Sequence, residues 1–203
     1  MPNEIEAKFK VDQFDAVRQR LGELKAAYLG TSLLTDVYYD TPTRDLLGQD
    51  RGLRIRHVER LESPSDGDEE LDTRAQLTYK SPAGTNERAK IRREIQTHVD
   101  SHEAMEEVLG ALGVVPTITI QKKRAGYRLG SCIVELDELP IIGRFIEIEA
   151  PSVEEIHAAA AELGISAPPS TDHYIKLLTD ACDRASKTCL EVTFEACKTC
   201  PSA

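Results

Sequence analysis

The sequence contains no tryptophan, and aromatic residues make up only 5% of its 203 positions. It also lacks any apolar run near the roughly 20 residues that a membrane-spanning helix needs, so no membrane partner is expected. The first ten residues, MPNEIEAKFK, lack the apolar h-region of a secretory signal. The length instead fits a domain that can bury a substantial core.

Basic residues are outnumbered by acidic ones. Lys and Arg total 25 against 35 Asp and Glu, which gives a formal net charge of −10. Proteins bind nucleic acid mainly by neutralising its phosphates, so a chain with this balance is a poor candidate, and no nucleic-acid partner is expected. A local basic site within an acidic shell remains compatible with the total.

Cysteines are few, odd in number and crowded towards the end of the chain: Cys132, Cys182, Cys189, Cys197 and Cys200. Without a signal segment, this usage predicts reduced thiols and a cytoplasmic location. The Cys197–Cys200 pair has CxxC spacing but does not open a helix of a βαβ unit, as a redox motif would. A zinc site with Cys182 and Cys189 matches no common spacing. Residues 181–203 are therefore interpreted as a tail of unassigned role.

Hydrophobic periodicity divides the rest of the chain into about eight strands and four helices. Strands are predicted at 4–11, 33–39, 52–60, 74–80, 89–99, 115–129, 131–139 and 143–150. Helices are predicted to begin after the capping residues Asp12, Asp100 or Ser101, Ser152, and Thr171 or Asp172. An acidic loop is predicted at 61–73. No linker divides the chain, so residues 1–180 are predicted to form one α+β domain rich in antiparallel strands.

Charged residues alternate with apolar ones in strand after strand. Glu4, Glu6 and Lys8 share one face of the first strand, and Arg54 and Arg56 share one face of the third. Like charges two residues apart lie about 7 Å apart and repel unless counter-charges are supplied. A single strand of this kind would normally be a solvated sheet surface. Repetition favours a closed barrel whose apolar faces lie outward, under helices, and whose lumen is charged.

The lumen of such a barrel would hold basic side chains facing acidic ones. The basic set is Lys8, Arg54, Arg56, Lys80, Lys90, Arg92, Lys122 and Arg124. The acidic set is Glu4, Glu6, Glu94, Glu135, Asp137, Glu147 and Glu149. Arg and Lys suit phosphate oxygens, and carboxylates without His or Cys suit Mg²⁺ or Mn²⁺ rather than zinc. The pattern predicts a polyphosphate site completed by a divalent cation.

The segment from Glu4 to Lys8 resembles the ExExK signature of the CYTH, or triphosphate tunnel metalloenzyme, superfamily. Further segments follow in the order typical of that family: VYYDTPTRDLL, GLRIR, QLTYKSP, KIRREI, QKKRAGY, VELDELPIIGRFIEIE and HYIKLL. The set is most similar to the class IV adenylyl cyclase branch and covers residues 3–178. The resemblance implies an eight-stranded antiparallel β-barrel, or triphosphate tunnel, with helices packed outside. It also implies a small-molecule triphosphate substrate, Mg²⁺ or Mn²⁺, and often a homodimer.

The resemblance also assigns roles by position. It implies that Glu4, Glu6, Asp137, Glu147 and Glu149 lie on the metal side, with Glu135 either joining them or holding an arginine. It implies that the basic set cradles the triphosphate, with Lys90 at the rim of the tunnel. The residues expected to act in catalysis are Lys8, Arg56, Lys80 and Glu94. Lys123 is expected to point outward by alternation, unless a β-bulge reverses it.

Three functions are compatible with this set of residues. An adenylyl cyclase would convert ATP to cyclic AMP and pyrophosphate and is the preferred interpretation. A triphosphatase would hydrolyse inorganic, thiamine or nucleoside triphosphate in the same tunnel. A non-catalytic polyphosphate-binding or nucleotide-binding module would be expected to lack the metal carboxylates.

Other polar and aromatic residues receive simpler interpretations. The five histidines, at 57, 98, 102, 157 and 173, are scattered and are expected to be surface or structural residues. One of the neighbours Tyr38 and Tyr39 is expected in the core, while the other could line the tunnel. Tyr174 is expected in the core rather than stacked on a base.

Overall fold

Eight long strands form the body of the molecule. The computed structural model describes residues 3–64, 75–84, 89–170, 172–185 and 189–199. Within these ranges the long strands are β1 (Asn3–Val11), β2 (Ala27–Asp40), β3 (Gly52–Glu62), β4 (Ala75–Lys80), β5 (Lys90–Val99), β6 (Val115–Leu129), β7 (Cys132–Leu139) and β8 (Gly143–Glu149).

These strands close on themselves. Their spatial order is β6-β2-β3-β4-β5-β1-β8-β7, and β7 pairs with β6 to complete the ring. Every pairing in the ring is antiparallel. The predicted eight-stranded antiparallel barrel is therefore confirmed, and closure removes the exposed edges that an open sheet would present.

The helices lie outside the barrel wall. They are α1 (Asp15–Glu23), the short α2 (Asp45–Gly48), α3 (His102–Ala111), α4 (Val153–Glu162) and α5 (Tyr174–Arg184). None of the helices in the described ranges has the length and apolar character needed to cross a membrane.

Two predicted helix caps are present and two are not. Ser101 and Ser152 accept hydrogen bonds from the backbone N–H groups of Ala104 and Glu155, as Ncap residues do. Helix α1 begins at Asp15 rather than after Asp12 and has no side-chain cap. The cap of α5 is His173, not Asp172, and Thr171 lies outside the described residues. Asp172 instead lies 3.3 Å from the Lys176 ammonium, which leaves the cap to the imidazole.

Strand β2 is longer than its predicted span of 33–39. It pairs with β6 from Ala27 to Asp40, with a register shift between Tyr28 and Gly30 that interrupts the apolar alternation. Gly30 has a φ of +107°, and an added Cβ would lie 2.7 Å from the backbone carbonyl oxygen of Glu62 on β3. The backbone conformation and this close approach require glycine there, and a glycine in the strand interrupts the pattern that periodicity analysis detects.

The apolar faces of the strands point outward. One outer core joins β1, β7 and β8 to α1 and α4 and includes Phe9, Leu21, Val134, Ile148 and Ile156. A second joins the β2–β5 side of the wall to α3. Because side chains alternate along a strand, the charged partners of these residues point into the lumen.

Helix α5 seals one end of the barrel. Ile118 and Ile120 have the same parity as the lumen residue Lys122, and they form a core with Tyr174 and Leu178 of α5. This apolar plug occupies the part of the lumen next to the charged section. The first residues of α5 are thereby brought to the charged cavity.

The segments on both sides of α5 pair with the barrel. Strand β9 (Pro169–Ser170), which precedes α5, pairs with β1. After α5 the chain returns to the sheet, where strand β10 (Glu191–Val192) pairs in parallel with β6 and buries Val192. The return brings the Cα atoms of Cys182 and Cys189 to 6.1 Å, and the two form a disulfide. The prediction of reduced thiols is wrong for this pair, because sequence spacing does not show that the tail folds back. Cys200 lies outside the described residues.

Candidate active site

The lumen contains a cavity of about 250 Å³ whose lining is mostly charged. All eight basic residues of the predicted set contribute to it, and so do six of the seven acidic residues. The exception is Asp137, which lies behind the cavity surface and is fully buried. Lys123 is exposed and lines a different pocket, as alternation predicts. Which of these residues bind phosphate or metal stays a prediction.

Asp137 organises one side of the lumen. Its carboxylate accepts hydrogen bonds from Lys122 Nζ at 2.9 Å, Arg124 Nε at 2.6 Å and the Tyr174 hydroxyl at 3.0 Å. The ring of Tyr174 also lies 4.5 Å from the ammonium of Lys8. Tyr174 is therefore both a core residue and part of the cavity floor. Asp137 therefore positions the side chains of Lys122, Arg124 and Tyr174 from behind the cavity surface.

Glu147 is the second anion on this side. It lies 2.6 Å from Lys8 and 3.6 Å from Lys122, and it also contacts Arg124. Burial alone would favour its neutral form, but these cations hold the pKa of Glu147 well below its ordinary value. Burial likewise opposes the charge of Lys8, yet Glu147 and Glu6 outweigh it and raise the pKa of Lys8. Lys8, Lys122 and Arg124, with Asp137 and Glu147, are called the paired wall below.

Asp36 is a buried anion that the sequence analysis missed. It receives two hydrogen bonds from Arg56, at 2.6 and 2.8 Å, and one from Arg54 at 3.3 Å. Burial opposes its ionisation, but both guanidinium groups lower its pKa. Asp36 and Tyr38 have the same parity on β2 and stand opposite Arg56 and Arg54 on β3. That parity could have identified Asp36.

A second group of basic side chains has hydrogen-bond donors without acceptors. Nε and Nη2 of Arg92 and Nε of Arg54 are buried and have no hydrogen-bond partner within the described part of the chain. Arg92 Nη2 lies 3.6 Å from Asp50, which is an ionic contact rather than a hydrogen bond. Burial and the neighbouring Arg92 lower the pKa of Lys90 to about 8. Arg54, Lys90 and Arg92 are called the open wall below. Buried donors without partners are costly, so this wall is suited to an incoming anion.

The remaining carboxylates are more weakly neutralised. Lys80 lies 2.8 Å from both Glu4 and Glu94. Glu6 and Glu149 make no ion pair with any residue in the described ranges, although both line the cavity. Burial first, and then Glu4, Glu135 and Glu6, raise the pKa of Glu149 to about 7. A cation bound between these carboxylates would reduce their mutual repulsion, so this side of the lumen is suited to binding one.

The carboxylates do not form a complete metal site by themselves. Over the ranges that the structure describes, no group of three or more His, Cys, Asp or Glu side chains is arranged to hold a metal ion. Mg²⁺ is commonly bound through only one or two carboxylates, with waters and substrate phosphates completing its shell. The donor set at Glu4, Glu6 and Glu149 fits a cation held in that way.

A smaller side cavity of about 60 Å³ adjoins the lumen. It shares Tyr38, Arg54, Lys80, Arg92 and His173 with the main cavity. Its other lining residues include Leu47 of α2, Ile175 of α5 and Thr78. The buried hydroxyl of Thr78 has no hydrogen-bond partner among the described residues. Leu47, Ile175 and Tyr38 give this cavity apolar surface beside the charged groups that it shares with the lumen, an arrangement that suits an organic group attached to a phosphate.

Several cavity residues were not predicted. Of the tyrosine pair, Tyr39 is in the core and Tyr38 lines the lumen. Gln76 and Gln96 also line it, and their parity on β4 and β5 was the available signal. His173 has a structural role, as expected, because it caps α5, but it also lines both cavities.

Comparison with known proteins agrees with this architecture. A protein of Methanocaldococcus jannaschii, provisionally named an adenylate cyclase, is 28% identical over 154 residues, which cover 76% of this chain and 79% of the relative. A solved structure from Pyrococcus horikoshii has 26% identity and a TM-score of 0.73 and covers 87% of this chain and 98% of its own.

A third comparison shows the fold alone. A structure from Hippeastrum, described as an adenylyl cyclase homologue with a dominant triphosphatase activity, is 21% identical with a TM-score of 0.64. It covers 91% of this chain and 97% of its own.

The family model for the CYTH domain matches residues 2–172, which contain all eight strands of the barrel. The chain belongs to the CYTH domain family.

Proposed function

We propose that this protein is a metal-dependent enzyme that acts on a triphosphate bound in the lumen, and that it is an adenylyl cyclase. The observation that carries the proposal is the open wall. Three of its buried guanidinium nitrogens, Nε of Arg54 and Nε and Nη2 of Arg92, have no protein acceptor within the described residues, and both side chains share one cavity with the carboxylates of Glu6 and Glu149. A phosphate chain would satisfy these donors, and a cation between phosphate and carboxylate would relieve the repulsion that raises the pKa of Glu149.

Glu4, Glu6 and Glu149 are the residues that would hold Mg²⁺ or Mn²⁺. Their oxygen donors suit these hard cations. When bound, such a cation neutralises phosphate charge and lowers the pKa of a coordinated hydroxyl or water. Among the described residues no His or Cys accompanies these three carboxylates, so the donor set favours Mg²⁺ or Mn²⁺ over zinc.

In the cyclase reaction, different side chains would stabilise the leaving group and accept the proton. The ribose 3′-hydroxyl attacks the α-phosphorus, the bond from that phosphorus to the bridging oxygen breaks, and pyrophosphate leaves. Arg54, Arg92 and Lys90 would stabilise the charge that develops on the leaving pyrophosphate. Glu94, the carboxylate that the sequence analysis expects to act in catalysis, lines the same cavity and would accept the proton of the hydroxyl. The side cavity supports an organic triphosphate because it offers apolar surface beside the phosphate site.

Triphosphatase activity is the second candidate. The Glu94 carboxylate could take a proton from a water that attacks a terminal phosphorus in the same cavity. The triphosphatase activity described for the Hippeastrum protein supports considering this reaction in the same fold. Cyclisation and hydrolysis differ in where the substrate lies, not in the types of residue required. The carboxylates without ion-pair partners in the described ranges, Glu6 and Glu149, argue against a purely non-catalytic binding module.

Product analysis separates these functions. The purified protein is incubated with ATP, and separately with inorganic triphosphate, under Mg²⁺ and under Mn²⁺. Cyclic AMP with pyrophosphate is the expected result and supports the cyclase. Orthophosphate from either substrate without cyclic AMP would assign the triphosphatase instead. Absence of turnover with both substrates would overturn the enzymatic proposal.

A carboxylate variant tests the metal assignment. Glu6→Gln keeps the size of the side chain but removes the charge, so metal-dependent turnover is expected to fall by about 100-fold or more. The matched control is Glu59→Gln, on the exposed face of β3, which should leave turnover unchanged. Equal activity of the two variants would remove Glu6 from the proposed metal site.

A further inference from the structure

His173 has a side-chain tautomer that the fold determines. It is the Ncap of α5, and its Nδ1 accepts a hydrogen bond from the backbone N–H of Lys176 at 3.1 Å. A neutral imidazole carries a proton on only one nitrogen. With Nδ1 acting as an acceptor, that proton is on Nε2, so Nε2–H is a hydrogen-bond donor.

The surroundings keep this imidazole neutral. His173 is half-buried, and the groups that face it are Lys90 and Arg92 from β5, Asp50 from the loop after α2, and Asp172. Burial, followed by the positive charge of Lys90, lowers the pKa of His173 to about 4. A third cation beside Lys90 and Arg92 would be repelled, whereas a neutral donor is tolerated.

The position of His173 is equally specific. Its side chain lines both the main cavity and the side cavity, together with Arg54, Arg92 and Tyr38. Its Nε2 makes no hydrogen bond within the described part of the chain. A substrate with phosphates in the lumen and an organic group in the side cavity would therefore pass His173 where the two parts join.

We propose that His173 contacts the substrate and helps to determine specificity, donating a hydrogen bond from Nε2–H to the oxygen atoms that join the phosphate chain of a triphosphate ester to its organic group. This inference rests on the proposed function, since it assumes a triphosphate in the lumen. It predicts that His173 matters more for ATP than for inorganic triphosphate, which has no such junction. Loss of one hydrogen bond to a charged oxygen weakens an interaction by about tenfold or more.

The decisive variant is His173→Ser. Serine is an equally good Ncap residue, so α5 and its plug are retained, but the hydroxyl is too short to replace Nε2. The matched control on the same helix end is Lys176→Ala, which removes an exposed side chain and leaves its backbone N–H in place. Tm measurements on both variants verify that the fold is kept.

Affinity and turnover are measured for ATP and for inorganic triphosphate, with binding followed by calorimetry in metal-free buffer. For His173→Ser we expect ATP affinity to fall about tenfold or more, triphosphate affinity to fall less than threefold, and Tm to stay unchanged. Equal losses for both ligands, or no loss for ATP, would overturn the role of His173. If the wild type turns over neither substrate, the proposed function fails, while the ATP-to-triphosphate affinity ratio still decides whether His173 contacts the junction.

An NMR measurement tests the tautomer directly. Long-range ¹H–¹⁵N correlation of the wild type is expected to show His173 protonated at Nε2 only, between pH 5.5 and 8. Addition of ATP without metal should shift the Nε2 resonance, and the inorganic triphosphate control should shift it less. A titrating imidazole, or protonation at Nδ1, would contradict the proposal.

Discussion

The paired wall and the open wall are built from the same residue types and differ in their partners. In the paired wall, Lys122 and Arg124 both donate to Asp137, and Glu147 joins Lys8 to them. In the open wall, Arg92 has two buried nitrogens without hydrogen-bond partners in the described ranges. The difference indicates two tasks for buried cations. One wall keeps the barrel interior electrically balanced, and the other has donors that the proposed triphosphate would satisfy.

The division has an energetic reason. A buried ion pair contributes little net stability, but removal of one partner leaves an uncompensated charge that is strongly destabilising. Buried donors without partners destabilise the free protein. A bound phosphate chain would accept hydrogen bonds from them, and the free energy gained would appear as binding affinity. Under the proposed function, the open wall would therefore lower the stability of the empty barrel and raise its affinity for a triphosphate, whereas the paired wall would not.

The largest expected effect comes from removal of the central anion of the paired wall. Asp137→Asn would leave Lys122 and Arg124 without their fully buried counter-charge, and the free energy of unfolding should fall by about 3–5 kcal/mol. Urea denaturation followed by circular dichroism measures this change. Glu138→Gln, which breaks only the partly exposed pair with Arg144, is the control and should cost less than about 1 kcal/mol. Similar losses for both variants would mean that Lys122 and Arg124 do not depend on Asp137 as their counter-charge.

The next prediction reverses the pattern in the open wall. Arg92→Met replaces a buried guanidinium that has unpartnered nitrogens by an apolar side chain of similar length, so the free energy of unfolding should stay equal or rise. Affinity for inorganic triphosphate should fall by about tenfold or more, because charge-assisted hydrogen bonds are lost. Calorimetry and urea denaturation measure the two quantities. Arg93→Met, on the exposed face of the same strand, is the control. A marked loss of stability with unchanged affinity would place Arg92 in the scaffold.

The sequence could predict the barrel and most of the lumen because alternation is a local property. Lys8, Arg56 and Glu149 all have the parity of the lumen face, and no tertiary information is needed to see it. The division between the two walls could not be predicted in the same way. It depends on the register between strands, such as the Asp36–Arg56 and Arg124–Asp137 pairings, which bring residues far apart in sequence together.

Two further features, the position of His173 and the disulfide, depend on where the chain goes before and after α5. His173 reaches the cavity because α5 plugs the barrel, and Cys182 meets Cys189 because the tail returns to β6. Neither return of the chain has a periodic signature. The capping role of His173 also follows from local geometry rather than from residue type, since Thr171 and Asp172 are stronger capping candidates by composition.

The smallest effect is expected at Glu149, on the carboxylate side facing the open wall. Its pKa is raised from 4.5 to about 7 in the folded protein, so the unfolded chain releases this proton at lower pH than the folded one. Stability from this group is therefore fully present below pH 4.5, is lost as the pH rises through about 7, and is constant above that. Because Glu149 is partly exposed, solvent screening should keep the total loss at or below about 1 kcal/mol.

Glu149→Gln should abolish this part of the pH dependence. The free energy of unfolding is measured at pH 5 and pH 8 in EDTA for the wild type, for Glu149→Gln and for the exposed control Glu154→Gln. The wild type and the control should lose more stability between these values than Glu149→Gln does. Added Mg²⁺ or Mn²⁺ should stabilise the wild type more at pH 8 than at pH 5, since a cation binds the ionised carboxylate. An identical pH dependence in all three proteins would show that the neighbouring glutamates do not raise the pKa of Glu149. The proposed cation site at Glu4, Glu6 and Glu149 would then lose its electrostatic support.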